Sequence, residues 1–109
     1  MYQFISPWIA LNQGNYEEYA KSSDIAERNQ ILKRTLIGNL LSMSKYFDYW
    51  LDREQKIQAE VRVKEQQIML KGKSMIGFSG VFKANFLIPD YLGIGKSVSR
   101  GFGAVERVV

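Results

Sequence analysis

The chain predicts an α+β fold with the element order βαββαβ, and three observations carry that prediction. Residues from Asp24 to Phe47 are apolar at helical spacing, residues from Ile57 to Lys64 alternate strictly between apolar and polar, and the runs Tyr2 to Leu11 and Met75 to Ile88 are rich in aromatic and β-branched residues. One long amphipathic helix among several strands fits a ferredoxin-like arrangement in which the second helix is shortened or replaced by a glycine-rich loop.

Each element follows from local chemistry. Tyr2 to Leu11 (YQFISPWIAL) reads as a strand, and Pro7, which lacks an N–H, places it at an edge or a bulge. Asn12 to Ser23 is polar and reads as a loop with at most a helical turn around Tyr16 to Tyr19. Asp24, with Glu27 three residues later, resembles a capping box opening a helix. Ile25, Leu32, Leu36, Leu40, Met43 and Phe47 then form an apolar stripe, with Lys33, Arg34 and Lys45 off it, which predicts a helix of about six turns laid over a sheet. Gly38 is unfavourable there by ~1 kcal/mol relative to Ala, which points to close packing at that position.

After a polar connection from Asp48 to Gln55, Ile57, Ala59, Val61 and Val63 share one face of a strand and Gln58, Glu60, Arg62 and Lys64 the other. Ile68 to Leu70 reads as a short partner strand, Lys71-Gly72-Lys73-Ser74 as a turn with two exposed cations, and Met75 to Ile88 as a long strand ended by Pro89. Within it Ile76, Phe78, Phe82 and Phe86 share a parity with Gly80 and Ala84. Such a row is either core or a base-stacking platform of the kind RNA-binding sheets present, and the long helix, which needs a face to cover, favours core. Ala104 to Val109 supplies the last strand. One helix covers one face of a sheet, so the other face is expected to meet RNA or a partner domain.

Composition narrows the chemistry. At 109 residues the chain is expected to form one domain, residues 1–109. It has no cysteine, which excludes disulfides and Cys-ligated metal sites, and no histidine, the only side chain whose unperturbed pKa lies near neutrality. Acid–base work would need a shifted Lys, Tyr or carboxylate, for a base a residue such as Tyr2, Tyr46 or Lys45, and no spacing favours one of them, so no catalytic residue, metal or cofactor is assigned. Neither a signal-like opening nor an apolar run approaching the ~20 residues of a membrane span is present, and a cytoplasmic location without a membrane partner is expected. The net charge of +4 is uneven: residues 1–61 hold seven Lys/Arg against eight Asp/Glu, and residues 62–109 hold eight against three. An anionic partner, most often nucleic acid, and a merely solvated basic surface both accommodate that asymmetry.

The basic half contains Gly93 to Gly103 (GIGKSVSRGFG), with four of the nine glycines in eleven positions. Exposed amides beside Lys96 and Arg100 are suited to phosphate, and glycine permits both close approach and positive φ. An ATP-binding P-loop is excluded because Asp90 stands where its first glycine belongs and only twelve residues follow Ser97. The dinucleotide fingerprint fails at Val98. A structural turn remains the plain alternative. On the phosphate reading, amides around Gly93, Gly95, Gly101 and Gly103 face the anion, Lys96 and Arg100 neutralise it, and Ser97 and Ser99 donate hydrogen bonds, with Phe102 buried beneath. Arg62, Lys64, Lys71 and Lys73 extend the track or simply face water.

The string GIGKSVSRGFGAVERV resembles the C-terminal glycine-rich loop and closing strand of the RAMP superfamily, and within it the CRISPR repeat-processing endoribonucleases of the sixth Cas family. YQFISPWIALNQGNY and ILKRTLIGNLLSMSKYF are similar to the start of that family's C-terminal domain. The resemblance implies a RAMP/RRM-like domain forming the C-terminal half of a two-domain protein, whose loop helps hold CRISPR repeat RNA. It implies as partners that RNA and an N-terminal RAMP domain, with a homodimer also admissible. It further implies metal-independent cleavage through the 2′-hydroxyl, commonly assisted by a histidine of the N-terminal half, which this chain lacks; the chain alone is expected to be inactive. A non-catalytic subunit whose loop docks protein is the alternative.

Overall fold

The computed structural model describes residues 1–46, 58–70, 72–85, 88 and 92–108, without the side chains of residues 13 and 44–46. The strands are β1 (Tyr2–Phe4), β2 (Ala59–Leu70), β3 (Lys73–Ala84) and β4 (Val105–Arg107), and the helices are α1 (Gln13–Lys21) and α2 (Ile25–Tyr46). The sheet is antiparallel with the order β2-β3-β1-β4, and β3 lies between the two strands that the helices connect. This is the expected ferredoxin-like plan. Where the second helix is expected, the described residues hold a 3₁₀ turn, Val98–Arg100, inside the glycine loop.

The longest ladder joins β2 to β3 from Ala59↔Ala84 to Leu70↔Lys73. Ile68 to Leu70 therefore ends β2 instead of forming a separate strand, and Lys73 and Ser74 open β3 instead of completing a turn. The polar run Glu65 to Gln67 breaks the alternation, but β3 is a template that pairs it regardless of side chain. Gly72, at φ +74, takes the left-handed conformation that so short a connection requires. At its other end β3 stops at Ala84, so the expected strand to Ile88 is too long. Ile88 is buried at 3% exposure, and its amide donates to the Tyr2 hydroxyl at 2.9 Å.

The predicted first strand is interrupted. β1 pairs Tyr2 with Phe82 and Gln3 with Val81, yet the next bridge joins Trp8 to Phe78, so extra residues around Ser6 and Pro7 bulge out of the ladder. Trp8 and Phe78 exchange both backbone hydrogen bonds, at 2.8 and 2.9 Å. The expectation of a bulge at Pro7 is met.

Tyr2, Phe4, Phe78, Phe82 and Val105 point to the helix side of the sheet, where Leu32, Leu36, Leu40 and Met43 meet them, with Ile31 added. The aromatic row is core, not a stacking platform. Phe4 stacks on Trp8 at 5.2 Å between ring centres and meets Phe82 at a tilt at 5.1 Å, and Phe78 meets Tyr19 edge-on at 5.7 Å. Ile25 departs from the expected stripe: it sits at the first residue of α2, 75% exposed, and burial begins only at Ile31. Gly38 departs too, for it is exposed and a Cβ there would meet nothing within 4 Å. Phe47, Ile57, Phe86 and the connection from Asp48 to Gln55 lie outside the described residues.

A full helix, α1, replaces the expected loop. Asn12 caps it by accepting from the Asn15 amide at 2.8 Å, and Asp24 accepts from Ala26 at 2.9 Å to open α2. Tyr19 anchors α1: its hydroxyl donates to Glu65, and Arg28 lies 4.8 Å over its ring while holding the same carboxylate at 3.3 Å. Burial, reinforced by the hydrogen bond and charge of Glu65 and opposed by Arg28, pushes the Tyr19 hydroxyl up to about 12.

Two predictions follow from these contacts. Gly38→Ala gains helix propensity with no clash, and urea unfolding is expected to show a rise in stability of about 0.5–1 kcal/mol. Folded Tyr19 keeps its proton above the unfolded value of 10, so its contribution is complete below pH 10 and declines as pH rises toward about 12. Tyr19→Phe should flatten that alkaline decline in stability, with ultraviolet titration of the phenols tracking the missing group.

Candidate nucleic-acid interface

The glycine segment is a strap tied down along both arms. Val105 donates to the Leu92 carbonyl at 3.2 Å, Ile94 to Gly103 at 3.0 Å, Lys96 to Ile9 at 2.9 Å and Gly103 to Pro7 at 2.8 Å. These bonds fasten the strap to itself and to the bulged continuation of β1. A cleft of 490 Å³ separates it from Asn39, Ser42 and Met43 of α2.

Three of its glycines are demanded from inside. A Cβ on Gly103 would lie 2.0 Å from the Ile94 carbonyl oxygen, one on Gly95 would lie 2.7 Å from both the Ile9 carbonyl oxygen and Trp8 Nε1, and one on Gly93 would lie 2.3 Å from Val98. Only Gly101, at φ +92, has open space around it. The expectation that amides around Gly101 and Gly103 face an anion is corrected on the same ground: they already donate, to Val98 at 2.9 Å and to Pro7. Phe102 is half-buried, less covered than expected.

The outward-facing chemistry lies between those glycines. Ser97 adopts φ 59 and ψ 31, the left-handed region, and the right-handed 3₁₀ turn Val98–Arg100 follows directly. That succession turns consecutive N–H groups to one side, the nest geometry that holds anions. Among the described residues the amides of Ser97, Val98 and Ser99 have no hydrogen-bond partner. Lys96, Ser99 and Arg100 are exposed beside them, Ser97 is half-exposed, and neither cation enters an ion pair among the described residues.

Arg62, Lys64 and Lys73 form a second group. Their parity places them on the sheet face opposite the helices, and the register adds Lys83, which the sequence reading passed over. All four are exposed and without ion pairs among the described residues. They are not gathered with the strap: β3 lies between β2 and β1, and two strand spacings separate those strands by roughly 10 Å. Lys71 lies outside the described residues.

Nothing in this geometry equips Tyr2 as a base, since the residue is 4% exposed and its hydroxyl is engaged by the Ile88 amide. The side chains of Lys45 and Tyr46 lie outside the described ones. No three His, Cys, Asp or Glu residues cluster among the described residues.

Residues 1–108 match the family model described as Cas6b C-terminal domain. The chain belongs to the Cas6b C-terminal domain family. A solved structure described as Cas6b shares 51% identity and superposes with a TM-score of 0.91, over 98% of this chain and 61% of the other. Another, described as CRISPR RNA processing endoribonuclease Cas6b, shares 50% identity with a TM-score of 0.92, over 98% of this chain and 53% of the other. The chain thus spans little more than half of either protein. An uncharacterized protein of Methanocaldococcus jannaschii is 52% identical over 108 residues, which are 98% of this chain and 71% of that one.

Within this Cas6b domain the strap divides into a framework of inward glycines and an outward tip from Lys96 to Arg100. Gly103→Ala, which sets a Cβ against a backbone carbonyl in left-handed geometry, is expected to cost more than about 2 kcal/mol by urea unfolding. Gly101→Ala shares the left-handed φ but meets no atom, so its cost should be about 1 kcal/mol.

Proposed function

We propose that this domain holds CRISPR repeat RNA for a Cas6b endoribonuclease, with phosphate seated at the tip of the strap. The observation that carries the reading is the nest of amides at Ser97, Val98 and Ser99, without a partner among the described residues, between the exposed cations Lys96 and Arg100. It occurs in a chain half identical to a CRISPR RNA processing endoribonuclease. Backbone N–H groups and flanking cations bind phosphate without reading sequence, so the tip positions the strand. Ser97 and Ser99 add hydroxyl donors, and Arg62, Lys64, Lys73 and Lys83 give the open sheet face a diffuse attraction for the same polyanion.

Cleavage is assigned to groups outside this domain. The sequence contains no histidine, and among the described residues the clearly shifted pKa, that of Tyr19, is moved away from neutrality. The domain is therefore proposed as the C-terminal, RNA-holding half of a two-domain protein in the cytoplasm, whose N-terminal RAMP domain deprotonates the 2′-hydroxyl; that oxygen attacks the adjacent phosphorus, the bond to the 5′-oxygen breaks, and a 2′,3′-cyclic phosphate and a protonated 5′-hydroxyl result.

Affinity for repeat RNA should fall steeply with salt, the logarithm of the binding constant declining by about 0.7 per neutralised phosphate for each tenfold rise in salt. Lys96→Ala and Arg100→Ala should each weaken binding roughly three- to tenfold and make that slope shallower. Binding indifferent to salt and to both substitutions would instead identify the strap as a protein-docking element.

A further inference from the structure

Beyond the Trp8–Phe78 pair the first and third strands part. The chain after Trp8 runs through Leu11 into α1, while β3 continues back to Lys73 beside β2. Between them opens a groove of 820 Å³, lined on one wall by Leu11, Asn12 and Tyr16 and on the other by Gln66, Gln67 and the Ser74 to Ile76 stretch, with Lys96 also lining it.

Three features fit this groove to an unstacked nucleobase. Tyr16 is an aromatic residue 48% exposed although it belongs to a wall of the groove, and a half-open aromatic residue at a polar cleft suits stacking. Peptide groups of Ile76 and Ser74 share the side of β3 that Phe78 turns to Trp8, because peptide direction alternates along a strand. No described residue pairs them there, which leaves donors and acceptors for a base edge. Lys96 belongs to both places: its amide is fastened to Ile9 at the start of the phosphate-seating tip, and the residue also lines the groove. Glu65, the carboxylate in the lining, is already held by Arg28 at 3.3 Å and by the Tyr19 hydroxyl, so its charge is partnered.

We infer that this groove is a nucleobase subsite of single-stranded RNA, in which Tyr16 stacks on a base whose neighbouring phosphate is neutralised by Lys96. The inference rests on the proposal that the strap binds RNA phosphate. It gives the domain a means of preferring single-stranded RNA over a bare polyanion, which the nest and its cations alone do not supply.

Fluorescence anisotropy with two labelled probes tests it, a short oligouridylate and a ribose-phosphate strand of equal length lacking bases. The unaltered protein should bind the oligouridylate about tenfold more tightly, the range expected of one aromatic stack. Tyr16→Leu should abolish that preference without changing affinity for the abasic strand, and Tyr16→Phe should retain it. Lys96→Ala should weaken both probes. Equal affinity of unaltered protein for the two strands, or a preference that survives Tyr16→Leu, overturns the subsite while leaving the phosphate site standing. Failure to bind either strand overturns both together, and a thermal melt of Tyr16→Leu matching the unaltered protein excludes misfolding as the cause of any loss.

Discussion

Trp8 is the residue on which the rest of the arrangement depends. Its side chain is 0% exposed, its ring stacks on Phe4 at 5.2 Å, its backbone exchanges hydrogen bonds with Phe78, and its Nε1 donates to Asn39 of α2 at 3.1 Å. One side chain therefore joins the bulged continuation of β1, the central strand and the long helix. It also sets the floor of the strap, because the absent Cβ of Gly95 leaves the space that Trp8 Nε1 occupies. Removing a buried ring of this size costs about 3–5 kcal/mol in general, and here the loss would reach the strap as well as the core.

How much of this was legible follows from where periodicity survives. Leu32, Leu36, Leu40 and Met43 face the sheet at helical spacing, and Ala59, Val61 and Val63 alternate, so both elements announce themselves. α1 does not, because Tyr19 is the one buried residue among those of its side chains that are described. Its stability comes from an asparagine cap and from pairs such as Arg34 with Glu18 at 2.9 Å, neither of which leaves an apolar pattern. The far half of β2 is hidden for a related reason: Glu65, Gln66 and Gln67 are strand because β3 pairs them, a property of the partner and not of their own sequence. Gly38 misleads in the opposite direction, as an unfavourable helix residue that nothing in the packing requires.

The strap was legible in place but not in role. Composition alone treats its glycines as openings for phosphate, whereas Gly93, Gly95 and Gly103 make room for Val98, for Ile9 and Trp8, and for Ile94 respectively. Only the fold brings these contacts together: Val98 and Ile94 belong to the loop itself, whereas Ile9 and Trp8 lie far from it in sequence. The anion geometry arises instead at Ser97, whose left-handed backbone no composition rule would assign to a serine when glycines stand so near.

This division separates two kinds of constraint within one loop. Inward glycines are held by the fold: altering Gly95 or Gly103 pushes on backbone or on Trp8, so their replacement disturbs the frame whatever the loop binds. Residues from Lys96 to Arg100 meet solvent and carry unpaired donors and charge, so side chains there can change with little effect on the frame. A left-handed Ser97 in such a frame is strain of about 1–3 kcal/mol that the surrounding hydrogen bonds must hold in place. The bonds from Lys96 to Ile9, from Arg100 and Phe102 to Ser97, and from Gly103 to Pro7 fasten the chain before and after it. Rigid scaffolding around a strained, donor-rich tip is the condition under which backbone amides bind an anion without first having to reorganise, and it is the fold beneath Trp8 that supplies the rigidity.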